Sequence, residues 1–249
     1  MGIYPLEKYP LKLQPIIKSA IWGEERWMLS VRSDGNSIIE NGIYKDMPLS
    51  EYLNIRDGSF PLLVKFIDAK DKLSIQVHPD KFELWYIVTA VPKSKIVYGF
   101  KGKYDIETIR NGNIEELANY KSVKPGGIYN IPAGLVHAAG AGLLIAEVQQ
   151  NFNTTYRLYD YNRGRDLHIG AALDTIKHFK KIKNNYFIVN VHEGEVNIKS
   201  FETFKHILCI GGNGWIDDYE INTGDSYFIP QNFECKIKTE HGIKILESY

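Results

Sequence analysis

The heptapeptide Gly126-Gly127-Ile128-Tyr129-Asn130-Ile131-Pro132 returns as Gly224-Asp225-Ser226-Tyr227-Phe228-Ile229-Pro230, and this repeat limits the chain's folds more than any other feature. Gly, Tyr, Ile and Pro keep their offsets, and each copy leads to an apolar run ending in Glu: Leu143-Leu144-Ile145-Ala146-Glu147 and Ile243-Lys244-Ile245-Leu246-Glu247. Shared spacing of this kind points to duplication of a β-unit. Two related units are expected, residues 1–173 and 174–249, with the lysine-rich stretch 174–186 as the boundary.

Runs rich in β-branched and aromatic residues, separated by turn signals, predict strands at 60–68, 73–78, 84–90 and 96–100. In the second unit they predict strands at 187–191, 206–210, 226–229 and 243–246. A helical insertion of one or two short helices is expected over 104–120, broken around Asn111-Gly112-Asn113. The opening 60 residues are less regular, with strand pieces near Ser30-Val31 and 37–39 and an Asn41-Gly42 turn suited to a hairpin. The fold class is mainly β.

Thirty basic residues balance thirty acidic ones, so no global field draws the chain to nucleic acid or to an acidic membrane. No apolar run approaches the roughly 20 residues that span a bilayer. Cys209 and Cys235 have neither metal-type nor redox spacing. The first eight residues lack a signal-peptide pattern, and Leu6 spoils the myristoylation pattern. A soluble cytoplasmic protein, monomer or homodimer, is expected.

The chemistry concentrates in Leu73-Ser74-Ile75-Gln76-Val77-His78-Pro79-Asp80 and Ile131-Pro132-Ala133-Gly134-Leu135-Val136-His137. On a strand the side-chain period is two, so Ser74, Gln76 and His78 share one face. An isolated Gln-x-His is more often a polar surface stripe. Here Glu83 follows, at the head of the apolar run Leu84-Trp85-Tyr86-Ile87-Val88, where a carboxylate needs a partner or solvent. Taken alone, Glu83 is as well explained as a charge guarding a strand end. Together Gln76, His78, Glu83 and His137 form a nitrogen and oxygen donor set that suits Zn²⁺, one per chain, while Fe²⁺, Mn²⁺, Co²⁺ and Ni²⁺ fit the same donors. Glu147 and Arg157 follow at ten-residue steps, a proton acceptor and a fixed cation for a developing oxyanion, or else halves of structural ion pairs. Lys65, Lys81, Arg163 and Arg165 add positive charge. His168, His178, His192, His206 and His241 show no ligand spacing and are assigned structural roles. In the second copy Cys235 falls opposite His137 and nothing matches Gln76-x-His78, so the active site is expected in the first unit.

These segments, with Leu11-Lys12-Leu13-Gln14-Pro15, Ile21-Trp22-Gly23, Glu147-Val148-Gln149-Gln150, Thr154-Thr155-Tyr156-Arg157 and Asp166-Leu167-His168-Ile169, resemble the type I phosphomannose isomerases in their short bacterial form. The resemblance implies a double cupin, two jelly-roll β-barrels, with a catalytic zinc. It implies interconversion of mannose 6-phosphate and fructose 6-phosphate, a small sugar phosphate being the partner. It makes Gln76, His78, Glu83 and His137 the metal ligands and Arg157 the catalytic arginine. Lys81, Lys65 and Ser74 become substrate-binding candidates, and Glu147 the base of an enediol mechanism. Two departures stand out: His78-Pro79-Asp80 runs straight into Lys81-Phe82-Glu83, shortening a loop, and Asn153 stands where the family has Asp. A non-catalytic sugar-binding or regulatory cupin keeps the same scaffold and is the alternative. An iron-dependent cupin oxygenase is a third reading, opposed by the intact Thr154–Arg157 and Glu147–Gln150 segments.

Overall fold

The computed structural model describes residues 7–55, 59–102, 106–110, 113–177, 179 and 183–249. His178 and the first two residues of the expected break at 111–113 lie outside them, as do residues 1–6, on which the leader and myristoylation readings rest. Among the described residues antiparallel strands dominate, as the alternating apolar pattern requires.

The chain divides into two compact units, but not at a single cut near 174. One comprises Ile17–Arg26 and Val64–Tyr186; the other comprises the residues up to Ile16, Trp27–Leu63 and Phe187–Tyr249. The cause is a pairing that local patterns cannot show: strand Leu11–Gln14 lies antiparallel to Ser226–Ile229, with Leu11 opposite Phe228 and Leu13 opposite Ser226. The irregular N-terminal strands thus belong with the C-terminal unit. The Asn41-Gly42 hairpin is also corrected. The tight hairpin joins Val31–Arg32 to Gly35–Asn36, while Gly42–Tyr44 forms one 3-10 turn. A regular hairpin needs paired strands on both sides of its turn, and beyond this one the chain returns in a short irregular pairing: Ile38 bridges to Pro48, and Ile39 donates to the Met47 carbonyl (3.0 Å) and accepts from the Asp46 nitrogen (2.8 Å).

In the unit of residues 17–26 and 64–186, one sheet runs Ala118–Ser122, Lys95–Phe100, His137–Ala139, Ile75–Val77, Tyr156–Tyr159. The other runs Ile128–Ile131, Glu83–Ala90, Leu143–Gln150, Leu62–Ala69, Gly23–Leu29, Ile16–Ala20. Ile96 and Ala139 from the first sheet pack with Trp85, Ile87, Ile131 and Ile145 from the second, which makes a two-layer apolar interior. The reverse face of the first sheet, including Ile75, Val77, Val97 and Ala138, is covered by helices Ile106–Arg110, Ile114–Leu117 and Ile169–Lys177 through Ile109, Ile114, Leu173 and Ile176. The helical insertion therefore lies where the sequence indicates. The third helix starts before the expected boundary segment because Ile169, Ala172, Leu173 and Ile176 recur at helical spacing.

The other unit repeats part of this plan. Its sheet order Ser226–Ile229, Lys205–Gly211, Lys244–Ser248, Val189–Glu193 matches Ile128–Ile131, Glu83–Ala90, Leu143–Gln150, Leu62–Ala69 strand for strand. The registers match as well: Ile131 lies opposite Glu83 and Ile229 opposite Lys205, Glu147 opposite Trp85 and Glu247 opposite Ile207, His137 opposite Gln76 and Cys235 opposite Ile198. Lys205, Cys235 and Ile198 thus occupy the places of Glu83, His137 and Gln76.

His206 is fully buried in this unit. Ser226 Oγ donates to the Met28 carbonyl (2.6 Å), so it accepts from His206 Nε2 (2.8 Å), and Ser248 lies 3.3 Å from Nδ1. Burial pulls this imidazole down to about 3. Once unfolded it titrates near 6.5, so the unfolded chain takes up a proton that the folded chain refuses, and stability falls as the pH drops from about 6.5 towards 3. Between pH 7 and pH 4 this group should remove roughly 3 kcal/mol, read from urea midpoints, and His206→Gln should flatten that part of the profile. An unchanged slope in the variant would show that another group is responsible.

Candidate metal centre

Cross-strand register assembles the site. His137 lies directly opposite Gln76, and Gln76 directly opposite Arg157; opposed residues on neighbouring strands point to the same face. Tyr98 extends the row beyond His137. On the second sheet Glu83 is opposite Gln149 and Trp85 opposite Glu147, so period two puts all four on one face. Trp85 from this sheet and His137 from the first meet edge to face, ring centroids 5.5 Å apart. Both rows line the interior of the same unit.

His78, Glu83 and His137 are buried, and their donor atoms lie within 4.8 Å of one another. His78 Nδ1 is 2.7 Å from the Thr154 carbonyl and His137 Nδ1 is 2.9 Å from the Leu135 carbonyl. A carbonyl only accepts, so both protons sit on Nδ1 and both Nε2 lone pairs face the centre. His78 Nε2 then stands 3.1 Å from Glu83 Oε1, acceptor against acceptor. Glu83 Oε2 and His137 Nε2 are buried without any hydrogen-bond partner. Buried acceptors that face one another call for a shared positive partner, and a metal cation is one that this donor set fits.

The electrostatics agree. Burial disfavours the charge on Glu83, but the Lys81 ammonium opposes it, and the carboxyl is held well below its usual range. Burial lowers His137 to about 4 and, with Lys81, lowers His78. Near neutral pH the centre thus offers two uncharged imidazoles and a carboxylate, the protonation states that metal ligation requires. Gln76 presents its amide 3.5 Å from His78 Nε2 while its carbonyl accepts from Ser74 Oγ (3.0 Å). Turning the amide by half a revolution exchanges its oxygen and nitrogen and offers a fourth donor.

Lys81, despite the shortened loop, is buried with Nζ 2.8 Å from Glu83 Oε1 and 3.0 Å from Gln149 Oε1. Glu147 is buried too. Its Oε2 accepts from Trp85 Nε1 (2.8 Å), and its Oε1 is 3.2 Å from Lys65 Nζ. Burial and the charge on Glu83 raise its carboxyl to about 7, against the pull of Lys65. Lys65 itself is buried and reaches Glu25 at 3.4 Å as well; the two carboxylates outweigh burial and raise its pKa. Lys65 is therefore committed to carboxylates rather than presented openly. Arg157 Nε is buried with no hydrogen-bond partner, and burial with nearby Arg165 lowers its pKa. Asn153 is exposed.

Four contributors escaped the sequence analysis. Gln149 and Trp85 sit inside quoted motifs without an assigned role, and alternation from Glu83 and Glu147 would have put them on the same face. Glu25 comes from a distant strand and left no local signal. His168, classed as structural, brackets the Arg157 backbone: its Nδ1 lies 3.2 Å from the Arg157 nitrogen, and its own nitrogen donates to the Arg157 carbonyl (2.8 Å). Among the described residues the C-terminal unit has no comparable group of His, Cys and acidic side chains.

Comparison with known proteins places this arrangement. The family description "Phosphomannose isomerase type I, catalytic domain" matches residues 9–94. Mannose-6-phosphate isomerase ManA of Bacillus subtilis (strain 168) is 31% identical, the alignment covering 89% of this chain and 93% of ManA. Mannose-6-phosphate isomerase of Streptococcus mutans is 29% identical over 90% of this chain and 93% of its own length. The crystal structure of mannose 6-phosphate isomerase from Bacillus subtilis superposes with a TM-score of 0.86 at 28% identity, covering 98% of this chain and all of that one. The ManA alignment runs to 292 residues against the 249 of this chain, so the relative carries segments that this chain lacks. With identity at this level along nearly the whole length, and a cupin-type architecture in common, the chain belongs to the type I phosphomannose isomerase family.

Proposed function

We propose that the chain is a metal-dependent aldose–ketose isomerase that interconverts mannose 6-phosphate and fructose 6-phosphate, with His78, Glu83, His137 and Gln76 holding one Zn²⁺. The observation that carries this reading is the pair of buried orphan acceptors, Glu83 Oε2 and His137 Nε2, beside a carboxylate and an arginine that face the same interior. Its relatives bear the name of that activity along nearly their full length. When bound, the cation supplies Lewis-acid polarisation of the sugar's C1 and C2 oxygens.

The chain's own residues do the rest. Glu147, poised near neutrality by burial, takes the proton from C2 of the open-chain aldose and returns it to C1, through an enediol. Trp85 Nε1 and Lys65 fix its two oxygens, so it meets the carbon in one orientation. Arg157 lies one strand beyond Gln76 and stabilises the negative charge that develops on the oxygens. Lys81, anchored on Glu83 and Gln149, donates to the reacting oxygens, and Ser74 sets the Gln76 amide. Apolar walls around Trp85, Ile131 and Ile145 exclude water from the enediol.

Two measurements test this. In a coupled assay on metal-loaded protein, Arg157→Ala should lower turnover at least about 100-fold with metal content unchanged; near-normal turnover removes Arg157 from the mechanism, and absence of turnover in the parent protein removes the isomerase itself. Zinc added to chelator-treated protein at about one hundred times its Kd should stabilise the fold by about 2.7 kcal/mol, a rise in Tm of about 5–10 °C. His137→Ala should lose that rise. Retention of it would place the metal elsewhere.

A further inference from the structure

The reverse face of the sheet that carries His137 holds a second cavity of about 410 Å³. Because His137 points inward, its neighbour Ala138 points the other way, and Ala138 with Val97 lines this cavity. The sheet itself separates it from the metal centre. The walls carry two tyrosine rings, Tyr120 and Tyr161, three ammonium groups, Lys72, Lys93 and Lys95, and one carboxylate, Asp71, which Arg163 pairs at 3.6 Å. Lys72 is already engaged, with Glu115 at 3.5 Å and over the Tyr161 ring at 4.2 Å. Lys93 and Lys95 are exposed and make no ion pair among the described residues.

Backbone conformation singles out the same place. Seven described residues other than glycine have a positive φ, and five of them, Asp46, Asn54, Asn162, Asp217 and Asn232, are of the two types that tolerate it. The other two are Lys93 (φ +72°) and Tyr161 (φ +53°), and both line this cavity. A lysine and a tyrosine in the left-handed region are strained, and such strain persists where the surrounding structure holds a side chain in a particular direction. The turn that holds Lys93 is closed by the Ser94 nitrogen on the Val91 carbonyl, and Ser94 Oγ is tied to the Ala141 carbonyl (3.0 Å). Neither Gly nor Asn occupies these positions, although either would relieve the strain.

We propose that this cavity is a second ligand site, for a small organic phosphate with an apolar or aromatic body. Its volume suits a small molecule, and Lys93 and Lys95 supply unneutralised positive charge at its rim. The floor of Val97 and Ala138 together with the Tyr120 ring offers apolar contact but few hydrogen-bond partners, so a bare sugar phosphate fits poorly. The site does not depend on the isomerase reading.

Phenyl phosphate serves as the probe, titrated calorimetrically into metal-loaded protein with and without saturating mannose 6-phosphate. Saturable binding is expected in both cases, about tenfold tighter than inorganic phosphate and weakened at least about tenfold in the Lys93→Ala/Lys95→Ala double variant. Isomerase turnover in that variant should match the parent, since neither lysine belongs to the metal centre. Lys93→Gly should raise Tm by about 2–4 °C through strain relief while weakening the probe, a combination that a purely structural lysine would not produce. The proposal is overturned by absence of saturable binding in the parent protein, by competition from mannose 6-phosphate, or by undiminished affinity in the double variant.

Discussion

A carboxylate at the head of an apolar strand, with about 2% of its surface exposed, is the constraint from which the rest of the catalytic unit follows. An isolated charge buried in this way is unstable by many kcal/mol, so Glu83 must be surrounded by compensating groups. Lys81 Nζ takes Oε1, while two imidazoles with their protons turned outward present lone pairs, His78 towards that same oxygen and His137 towards Oε2. The same charge then acts on its neighbours. It helps to raise Glu147, while Lys81 keeps Glu83 ionised. Two carboxylates in one interior are thereby driven apart, one a fixed anion and the other able to exchange a proton, the separation that an acid–base site needs.

The delivery of these groups depends on register. His137, Gln76 and Arg157 form a row across three strands, and a slip of one residue on Ile75–Val77 would turn Gln76 outward and bring Ile75 and Val77 into the site. The C-terminal unit shows that the scaffold does not need the chemistry. It keeps the register and puts Lys205 where Glu83 stands, with Lys205 Nζ 3.5 Å from Glu247 Oε1. There an internal ammonium stands in place of the Glu83 carboxylate, and an apolar Ile198 and a buried Cys235 stand where Gln76 and His137 are.

What the sequence disclosed follows the range of each interaction. Ser74, Gln76 and His78 were legible because period two is local. The duplication was legible because Gly, Tyr, Ile and Pro recur at fixed offsets. The pairing of Leu11–Gln14 with Ser226–Ile229 was not, since nothing in either segment names a partner over two hundred residues away. The partners of Lys65 were hidden for a related reason. Its positive charge is visible in the sequence, but Glu25 and Glu147, which hold it, come from other strands, and only the fold brings them together. His168 was set aside because metal spacing was the criterion, whereas it acts on the backbone of Arg157.

Charge balance links the buried network to the kind of substrate it suits. Lys65, Lys81 and Arg157 offset Glu25, Glu83 and Glu147, so with Glu147 ionised the interior carries no net charge. Such an interior exerts no net pull on a phosphorylated sugar. A divalent cation held by the proposed ligands would make it positive. Lys81 occupies only Oε1 of Glu83, which leaves Oε2 without a hydrogen-bond partner and open to such a cation. The geometry of that one carboxylate would therefore tie substrate attraction to metal occupancy.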